Sequence, residues 1–223
     1  MRAGCALLAL SVALPLAAQQ LSPDWTRCVN QGKTFSADVQ ISGCTAVLQS
    51  GREPAANRAV AYTNRGNAYQ AKGDNDRAIA DYNEAIRLNP SYALAYSNRG
   101  LAYLAKGDND RAIADFNEAI RLNPKDAWAY SCRARTYLYS GSLPSAQADF
   151  KQANSLDPKF AYGVLWLDMV ERRNNLPSRL KQLSAPLDMA KWPGPVVRLF
   201  LGELSPEQTL AAADQGMSRG LLK

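Results

Sequence analysis

The chain has 223 residues, 47% of them hydrophobic, so it can form a packed core and is not a disordered chain. Its formal net charge of +6 comes from scattered basic residues, and the lack of a long Lys/Arg run argues against a nucleic-acid-binding surface. The sequence contains no histidine, which excludes the usual general base and the usual metal ligand. We therefore expect no cofactor, no metal site and no catalytic residues.

The first element in the chain is a short apolar segment with a charged start. Arg2 precedes an apolar stretch from Ala3 to Ala18, and Pro15 lies near its end. This pattern is typical of a secretory signal peptide, which we predict at residues 1–18. An uncleaved membrane anchor is the alternative, although a span needs about 20 apolar residues. The sequence thus predicts an exported protein whose mature chain has no integral membrane span.

Three cysteines remain after such a cleavage: Cys28, Cys44 and Cys132. Export places them in an oxidising compartment, where disulfides persist. Cys28 and Cys44 enclose fifteen residues, and closing a loop of that length stabilises the fold by about 3 kcal/mol. We predict this disulfide and expect Cys132 to be a small apolar residue of the core or of a groove. The sequence has no C-x-x-C motif, so it does not indicate a thiol oxidoreductase.

A repeat of 34 residues dominates the middle of the chain. Residues 73–90 read GDNDRAIADYNEAIRLNP and residues 107–124 read GDNDRAIADFNEAIRLNP, starting 34 positions apart. The longer ranges 59–92 and 93–126 match at 27 of 34 positions, and residues 127–160 continue the register more loosely. Aromatic, small and proline residues recur at constant positions: Tyr62, Tyr96 and Tyr130; Gly66, Gly100 and Ala134; Tyr82, Phe116 and Phe150; Ala85, Ala119 and Ala153; Pro90, Pro124 and Pro158.

Each unit contains two segments with helical spacing. The first set of packing residues is Tyr62, Gly66 and Tyr69, and the second is Ala78, Tyr82 and Ala85. Gly73 lies between the two sets and favours the left-handed end of the first helix. Asp74 is suited to cap the second helix, and Pro90 cannot continue it. Each unit is therefore predicted to form two antiparallel helices.

This series of residues resembles the tetratricopeptide repeat (TPR) family over residues 59–160. The resemblance implies an all-α fold, a right-handed superhelix of helix hairpins in which each unit provides the packing surface for the next. We expect a degenerate N-terminal repeat with the disulfide at 22–58, three repeats at 59–92, 93–126 and 127–160, and C-terminal capping helices at 161–223.

Arginine stands where the family often has leucine, at Arg65, Arg99 and Arg133. Each has a matching acid in the second helix of its unit: Asp81, Asp115 and Asp149. Because the pairs recur at the repeat spacing, we predict that they bridge the two helices of a unit and do not bind a ligand.

Both flanks of the repeats also show helical patterns. In the repeat register, Cys28 takes the place of Tyr62 and Cys44 that of Ala78, on facing helices. After Pro158, the apolar residues of a further helix are expected to cover the last repeat: Tyr162, Leu165, Trp166, Met169 and Val170. A short apolar helix at Val196–Leu201 and a helix capped by Ser205 should follow. This tail resembles the tail of exported bacterial TPR proteins, including lipoprotein-type adaptors of the periplasm. Proteins of that kind usually have more helices after this point, so we expect the C-terminus of this chain to be shortened relative to theirs.

The first helices of TPR units line a groove, which the resemblance implies is the binding surface. The candidate groove residues are partly apolar where a surface row is usually charged: Asn67, Gln70, Asn98, Leu101, Leu104, Trp128, Arg135 and Leu138. They would hold an extended or helical peptide. The alternative is that the chain's own C-terminal segment covers the apolar members.

Some TPR proteins bind the C-terminal carboxylate of a chaperone with Lys, Asn and Arg residues. Only Asn67 and Asn98 match that set here, and Thr63, Trp128 and Cys132 stand where it has basic residues. The sequence argues against that ligand. We expect a non-enzymatic adaptor in the bacterial periplasm that binds a protein or peptide partner. The alternative is a structural protein that associates with itself as a homodimer.

Overall fold

The computed structural model describes residues 21–191 and 193–221, and the predicted signal peptide lies outside this part of the chain. All regular secondary structure in these residues is helical, as the fold class requires. The helices are α1 (Pro23–Val29), α2 (Ala37–Gln49), α3 (Ala55–Ala71), α4 (Asn75–Leu88), α5 (Ala93–Ala105), α6 (Asn109–Leu122), α7 (Ala127–Tyr139), α8 (Leu143–Leu156), α9 (Ala161–Arg173), α10 (Leu180–Leu183), α11 (Gly194–Phe200) and α12 (Pro206–Leu221).

Consecutive helices pack as hairpins, and consecutive hairpins stack. The three repeat units are α3 with α4, α5 with α6, and α7 with α8, and the second helix of each contacts the first helix of the next. The chain is therefore an α-solenoid. Helix α3 begins at Ala55, before position 59, because Pro54 starts the helix and two alanines with high helix propensity follow it.

The turn inside each repeat hairpin has the predicted glycine and cap. Gly73 has a φ of +79° and Gly107 a φ of +78°, a conformation that residues with a Cβ rarely adopt. The backbone amide of Arg77 donates to Asp74 Oδ1 at 3.0 Å and thereby caps α4. These local interactions fix where the first helix ends and the second begins.

Close contact between the two helices of a unit depends on a small residue opposite an aromatic ring. A Cβ atom added at Gly66 would lie 2.6 Å from Tyr82 Cε1, a distance that no side chain tolerates. Tyr82, Phe116 and Phe150 are fully buried at the same place in successive units. The aromatic ring thus fills the space that the small residue leaves.

The predicted arginine–aspartate pairs form and connect more helices than expected. Arg99 on α5 donates from Nε and Nη2 to Asp115 on α6 at 2.8 and 2.6 Å. Its Nη1 also donates to Asn83 on α4 of the preceding unit at 2.6 Å. Each such arginine makes the same three-way contact, with Asp81 and Thr45 for Arg65 and with Asp149 and Asn117 for Arg133. The pairs therefore hold neighbouring units together as well as the helices within one unit.

The first hairpin, α1 with α2, closes the N-terminal end of the solenoid. A disulfide joins Cys28 to Cys44 across it, as the sequence predicts. Both cysteines are fully buried against Val47 and Ala61, so the hairpin packs directly on α3.

Helix α9 takes the place that the first helix of a fourth repeat would have. The helices after α9 no longer follow the repeat pattern. Leu167 and Val170 of α9 pack on Phe150, and Val164 packs on Val197 of α11 from the other side of the same helix. Ser205 caps α12: its Oγ accepts from the Gln208 amide at 3.2 Å, and its amide donates to Gln208 Oε1 at 2.8 Å. None of the described helices combines the length and apolar character that a membrane span requires.

Candidate interaction groove

The first helices of successive units form one continuous surface. Helix α3 contacts α5, and α5 contacts α7, in addition to the contacts within each hairpin. Helix α9 continues the row, since Trp128 of α7 meets Phe160, the residue before α9, edge to face at 6.0 Å. We call this surface of α3, α5, α7 and α9 the groove.

The α3 end of the groove is polar. The Tyr82 hydroxyl lies 2.8 Å from Asn67 Oδ1 and 3.0 Å from Gln70 Oε1 and can donate its proton to either. Asn98 Nδ2 donates to Asn67 Oδ1 at 2.8 Å. Burial raises the pKa of Tyr82, so its hydroxyl stays protonated and remains a donor. The structure brings Asn67, Gln70 and Asn98 together in one hydrogen-bonded network between α3 and α5.

The second unit replaces this network with apolar packing. Leu101 and Leu104 stand at the positions of Asn67 and Gln70, and both pack against the buried cluster of Ala112, Phe116 and Cys132. They are partly buried, so they line the groove with only part of their surface. The candidate residues Leu101 and Leu104 thus stabilise the second hairpin as well as facing the groove.

The third unit places large exposed side chains on the groove, but the candidate residue Leu138 is not among them. Trp128 is 46% exposed and Tyr139 59% exposed. Leu138 is buried among Ala134, Phe150 and Val170. This corrects the expectation that Leu138 lines the groove: α8 and α9 close over it, because its side chain points between the helices.

Cys132 is buried at the base of this part of the groove and is not disulfide-bonded. Burial raises the pKa of its thiol to about 12, so the thiol is protonated at neutral pH. Arg135 nearby is partly buried, and its Nε has no hydrogen-bond partner in the described part of the chain. Cys132 therefore acts as a small apolar residue, and Arg135 keeps a buried Nε that no described residue pairs with.

The groove ends in an apolar pocket of about 490 Å³ between α9 and Phe200 of α11. Its lining includes Tyr162, Trp166, Met169 and Arg173. The sequence predicts that the apolar residues of α9 cover the last repeat, and Trp166, Met169 and Val170 pack on its core as expected, with Trp166 stacked on Phe150. Trp166 and Met169 also line the pocket. Tyr162, Met169 and Arg173 stand 34 positions after the α7 residues Trp128, Arg135 and Tyr139. The repeat spacing could therefore have identified these pocket residues from the sequence.

The C-terminal helices leave the middle of the groove open. Helices α10 and α11 pack on α9, and Trp128 keeps close to half of its surface exposed. In residues 21–191 and 193–221, no cluster of cysteine and acidic side chains is arranged to hold a metal ion. The chemistry available in the groove is therefore hydrogen bonding, apolar contact and positive charge.

Comparison with known proteins identifies the repeat. Two family models, each described as tetratricopeptide repeat, match residues 63–127 and 116–148. The search of curated proteins gives no match. A crystal structure of MamA is similar in fold, with 22% identity, a TM-score of 0.60 and coverage of 70% of this chain and 87% of that one.

Two further solved structures are similar at 25% identity. The first TPR of Spaghetti (RPAP3), bound to the HSP90 peptide SRMEEVD, covers 54% of this chain and 95% of its own, with a TM-score of 0.53. The TPR domain of OM64 from Arabidopsis covers 53% of this chain and 98% of its own, with a TM-score of 0.51.

Proposed function

Since the chain belongs to the tetratricopeptide repeat family, we propose that it is a non-enzymatic scaffold of the bacterial periplasm. It binds a peptide or helix of a partner protein in the groove. The partner makes apolar contacts with α7 and α9 and hydrogen bonds with the amide groups of α3 and α5.

The observation that carries this proposal is where the exposed apolar side chains lie. Nine large hydrophobic residues are exposed in the described part of the chain. Four of them lie on the groove helices, and Phe200 lines the pocket at the end of the groove; the four are Leu94, Trp128, Tyr139 and Tyr162. Exposed apolar groups that cluster on one surface mark interaction sites in soluble proteins. A peptide laid along the groove would remove these side chains from water.

The similar TPR of Spaghetti binds an HSP90 peptide, which supports peptide binding as the mode of interaction. We expect this chain to bind a different class of ligand from the chain-terminal carboxylate that a carboxylate-binding clamp holds. The positions where a carboxylate-binding clamp has basic residues hold buried Thr63, buried Cys132 and exposed Trp128. An apolar tryptophan in that row favours a side chain of the partner over a chain-terminal carboxylate.

Export is supported by the signal-peptide pattern at residues 1–18 and by the buried disulfide between Cys28 and Cys44. Disulfides persist in oxidising compartments such as the periplasm. The test is fractionation of bacterial cells that produce the chain, with N-terminal sequencing of the product. Recovery of the uncleaved chain from the cytosol would refute periplasmic localisation.

The binding function is tested by crosslinking and affinity purification of partners from whole cells. The variant Trp128→Ala/Tyr139→Ala removes two exposed groove residues and should lose the specific partners. Leu210→Ala is the matched control, because Leu210 is 67% exposed outside the groove. Identical partner sets for the wild type and the groove variant would contradict the proposal.

Self-association is the second candidate, because a second copy could cover the same apolar residues. Sedimentation of the purified protein distinguishes the two functions. A scaffold for other proteins should sediment as a monomer, whereas a dimer that Trp128→Ala/Tyr139→Ala dissociates would establish self-association.

A further inference from the structure

The α7 and α9 part of the groove contains two arginines, Arg135 on α7 and Arg173 on α9, that have no acidic partner among the described residues. Arg173 lies at the pocket and has neither an ion-pair partner nor a hydrogen-bond partner among the described residues, and Arg135 leaves its buried Nε unpartnered. By contrast, the arginines at the repeat position, such as Arg99, bind a carboxylate through two hydrogen bonds. Two guanidinium groups in the groove are therefore available to a ligand.

The acidic group of this pocket does not neutralise them. Asp168 lines the pocket, but its carboxylate accepts from Arg172 Nε at 2.7 Å and from Ser178 Oγ at 2.5 Å. Asp168 is buried in that contact. The pocket consequently combines an apolar lining with an uncompensated positive charge at Arg173.

We propose that this end of the groove is a subsite for an acidic peptide segment of the partner. An aromatic or aliphatic side chain of the peptide occupies the pocket between α9 and Phe200, and a neighbouring Asp or Glu binds Arg173. Guanidinium groups bind carboxylates through paired, charge-assisted hydrogen bonds, which are among the strong ones in proteins. This inference rests on the proposed function and names the partner's chemistry at one place in the groove.

Charge complementarity selects a partner peptide over the chain's own N-terminal segment. Residues 1–20 are apolar, but they carry Arg2 and no acidic residue. That segment could fill the pocket yet would bring a positive charge toward Arg173. A peptide with a carboxylate beside its apolar anchor satisfies both features of the subsite.

The test begins with selection of random dodecapeptides displayed on phage against the purified protein. We expect the enriched peptides to carry Asp or Glu within two positions of an aromatic or aliphatic residue. One enriched peptide is then synthesised with a fluorescent label, and its Kd is measured by fluorescence anisotropy. Arg173→Gln and Phe200→Ala should each raise that Kd about tenfold, as truncation of a central contact residue commonly does.

Two exposed residues outside the groove provide matched controls. Arg52→Gln removes the same charge as Arg173→Gln, and Leu210→Ala removes an exposed side chain as Phe200→Ala does. Both should leave the Kd unchanged within about twofold. Replacing the acidic residue of the peptide by its amide should abolish the effect of Arg173→Gln, since the two changes remove the same contact.

Several results would overturn the subsite. Enrichment of neutral or basic peptides would do so. The subsite would also be overturned if Trp128→Ala abolished peptide binding while Arg173→Gln and Phe200→Ala left the Kd unchanged. That result would leave the proposed function intact. A dimer that Phe200→Ala dissociates would show that a second copy occupies the pocket. No enrichment of any peptide by the monomeric protein would contradict both the subsite and the proposed function.

Discussion

At the scale of single residues, the two almost identical repeats differ in a coupled way. Tyr82 in the first unit becomes Phe116 in the second, the one difference between the eighteen-residue stretches. Around Tyr82, Asn67 and Gln70 accept its hydroxyl proton, and around Phe116 the equivalent residues are leucines. The hydroxyl and its acceptors are present together or absent together, because either alone would leave a buried polar group unpaired.

We predict that Tyr82→Phe lowers the free energy of unfolding by about 1 kcal/mol, because Gln70 loses its donor and Asn67 keeps only the one from Asn98. The triple variant Tyr82→Phe/Asn67→Leu/Gln70→Leu removes the hydroxyl together with both acceptors and should recover most of that loss, since Asn98, which donates to Asn67, is only partly buried and can bond to water. Urea denaturation followed by circular dichroism measures both. The reverse single change, Phe116→Tyr, is the control and should also destabilise, since it places a hydroxyl among leucines. A neutral Tyr82→Phe with a destabilised triple variant would show that the coupling is absent.

At the scale of helices, the arginine of each repeat connects three elements. Arg99 on α5 binds Asp115 on α6 and Asn83 on α4. Tyr96 lies below its guanidinium carbon, 5.6 Å from the ring centroid. Bonding to Asp115 raises the pKa of Arg99 and so keeps it charged. The pair positions the second unit on the first as well as closing its hairpin.

We predict that Asp115→Ala costs about 3 kcal/mol of stability, because it leaves the half-buried guanidinium of Arg99 without its counter-ion. The surface variant Glu118→Ala removes the partner of Arg121 on the same helix, α6, and should change stability little. Thermal and urea denaturation of the two variants provide the comparison. Equal effects would mean that the buried pair contributes no more than a surface one.

At the scale of the whole molecule, the solenoid has two different ends and a graded groove. The disulfide-linked hairpin closes the α3 end, and α10 and α11 pack on α9 at the other. Between these ends, the side chains of the groove change from amide groups to aromatic rings and to arginines that pair with no described acidic residue. The proposed partner would therefore meet sequence-tolerant hydrogen bonding at one end and apolar, positively charged recognition at the other.

The carboxylates that cap and pair along the solenoid predict instability in acid. The backbone amide of Arg77 lowers the pKa of Asp74, and the side chain of Arg111 lowers that of Asp108. A carboxyl whose pKa is lower in the folded state stabilises the fold above its unfolded pKa of about 3.9, and this stability is lost as the pH falls. We expect the free energy of unfolding to be steady near neutrality and to decline below about pH 5.

Denaturant titrations across that range measure the decline. Asp74→Asn/Asp108→Asn removes two of the titrating caps and should show a shallower decline. Stability that rises as the pH falls would contradict the assignment.

The sequence by itself determined the helix hairpins, the solenoid, the disulfide and the arginine–aspartate pairs. These features depend on local signals or on residues that recur at constant spacing, such as Gly73, Asp74 and Pro90, so one chain contains enough information to place them. Residues such as Trp128 and Arg135 are on the groove surface for the same reason, because their position on the helix follows from the repeat register.

Only the tertiary structure decided which of those positions stay open. Leu138 and Leu104 occupy equivalent positions, yet α8 and α9 bury Leu138, while Leu104 keeps a partly exposed side chain. The pocket requires Phe200, which belongs to a different helix from the rest of its lining and breaks the repeat pattern. Exposure depends on what packs over a side chain, and that is decided by contacts between segments far apart in the chain.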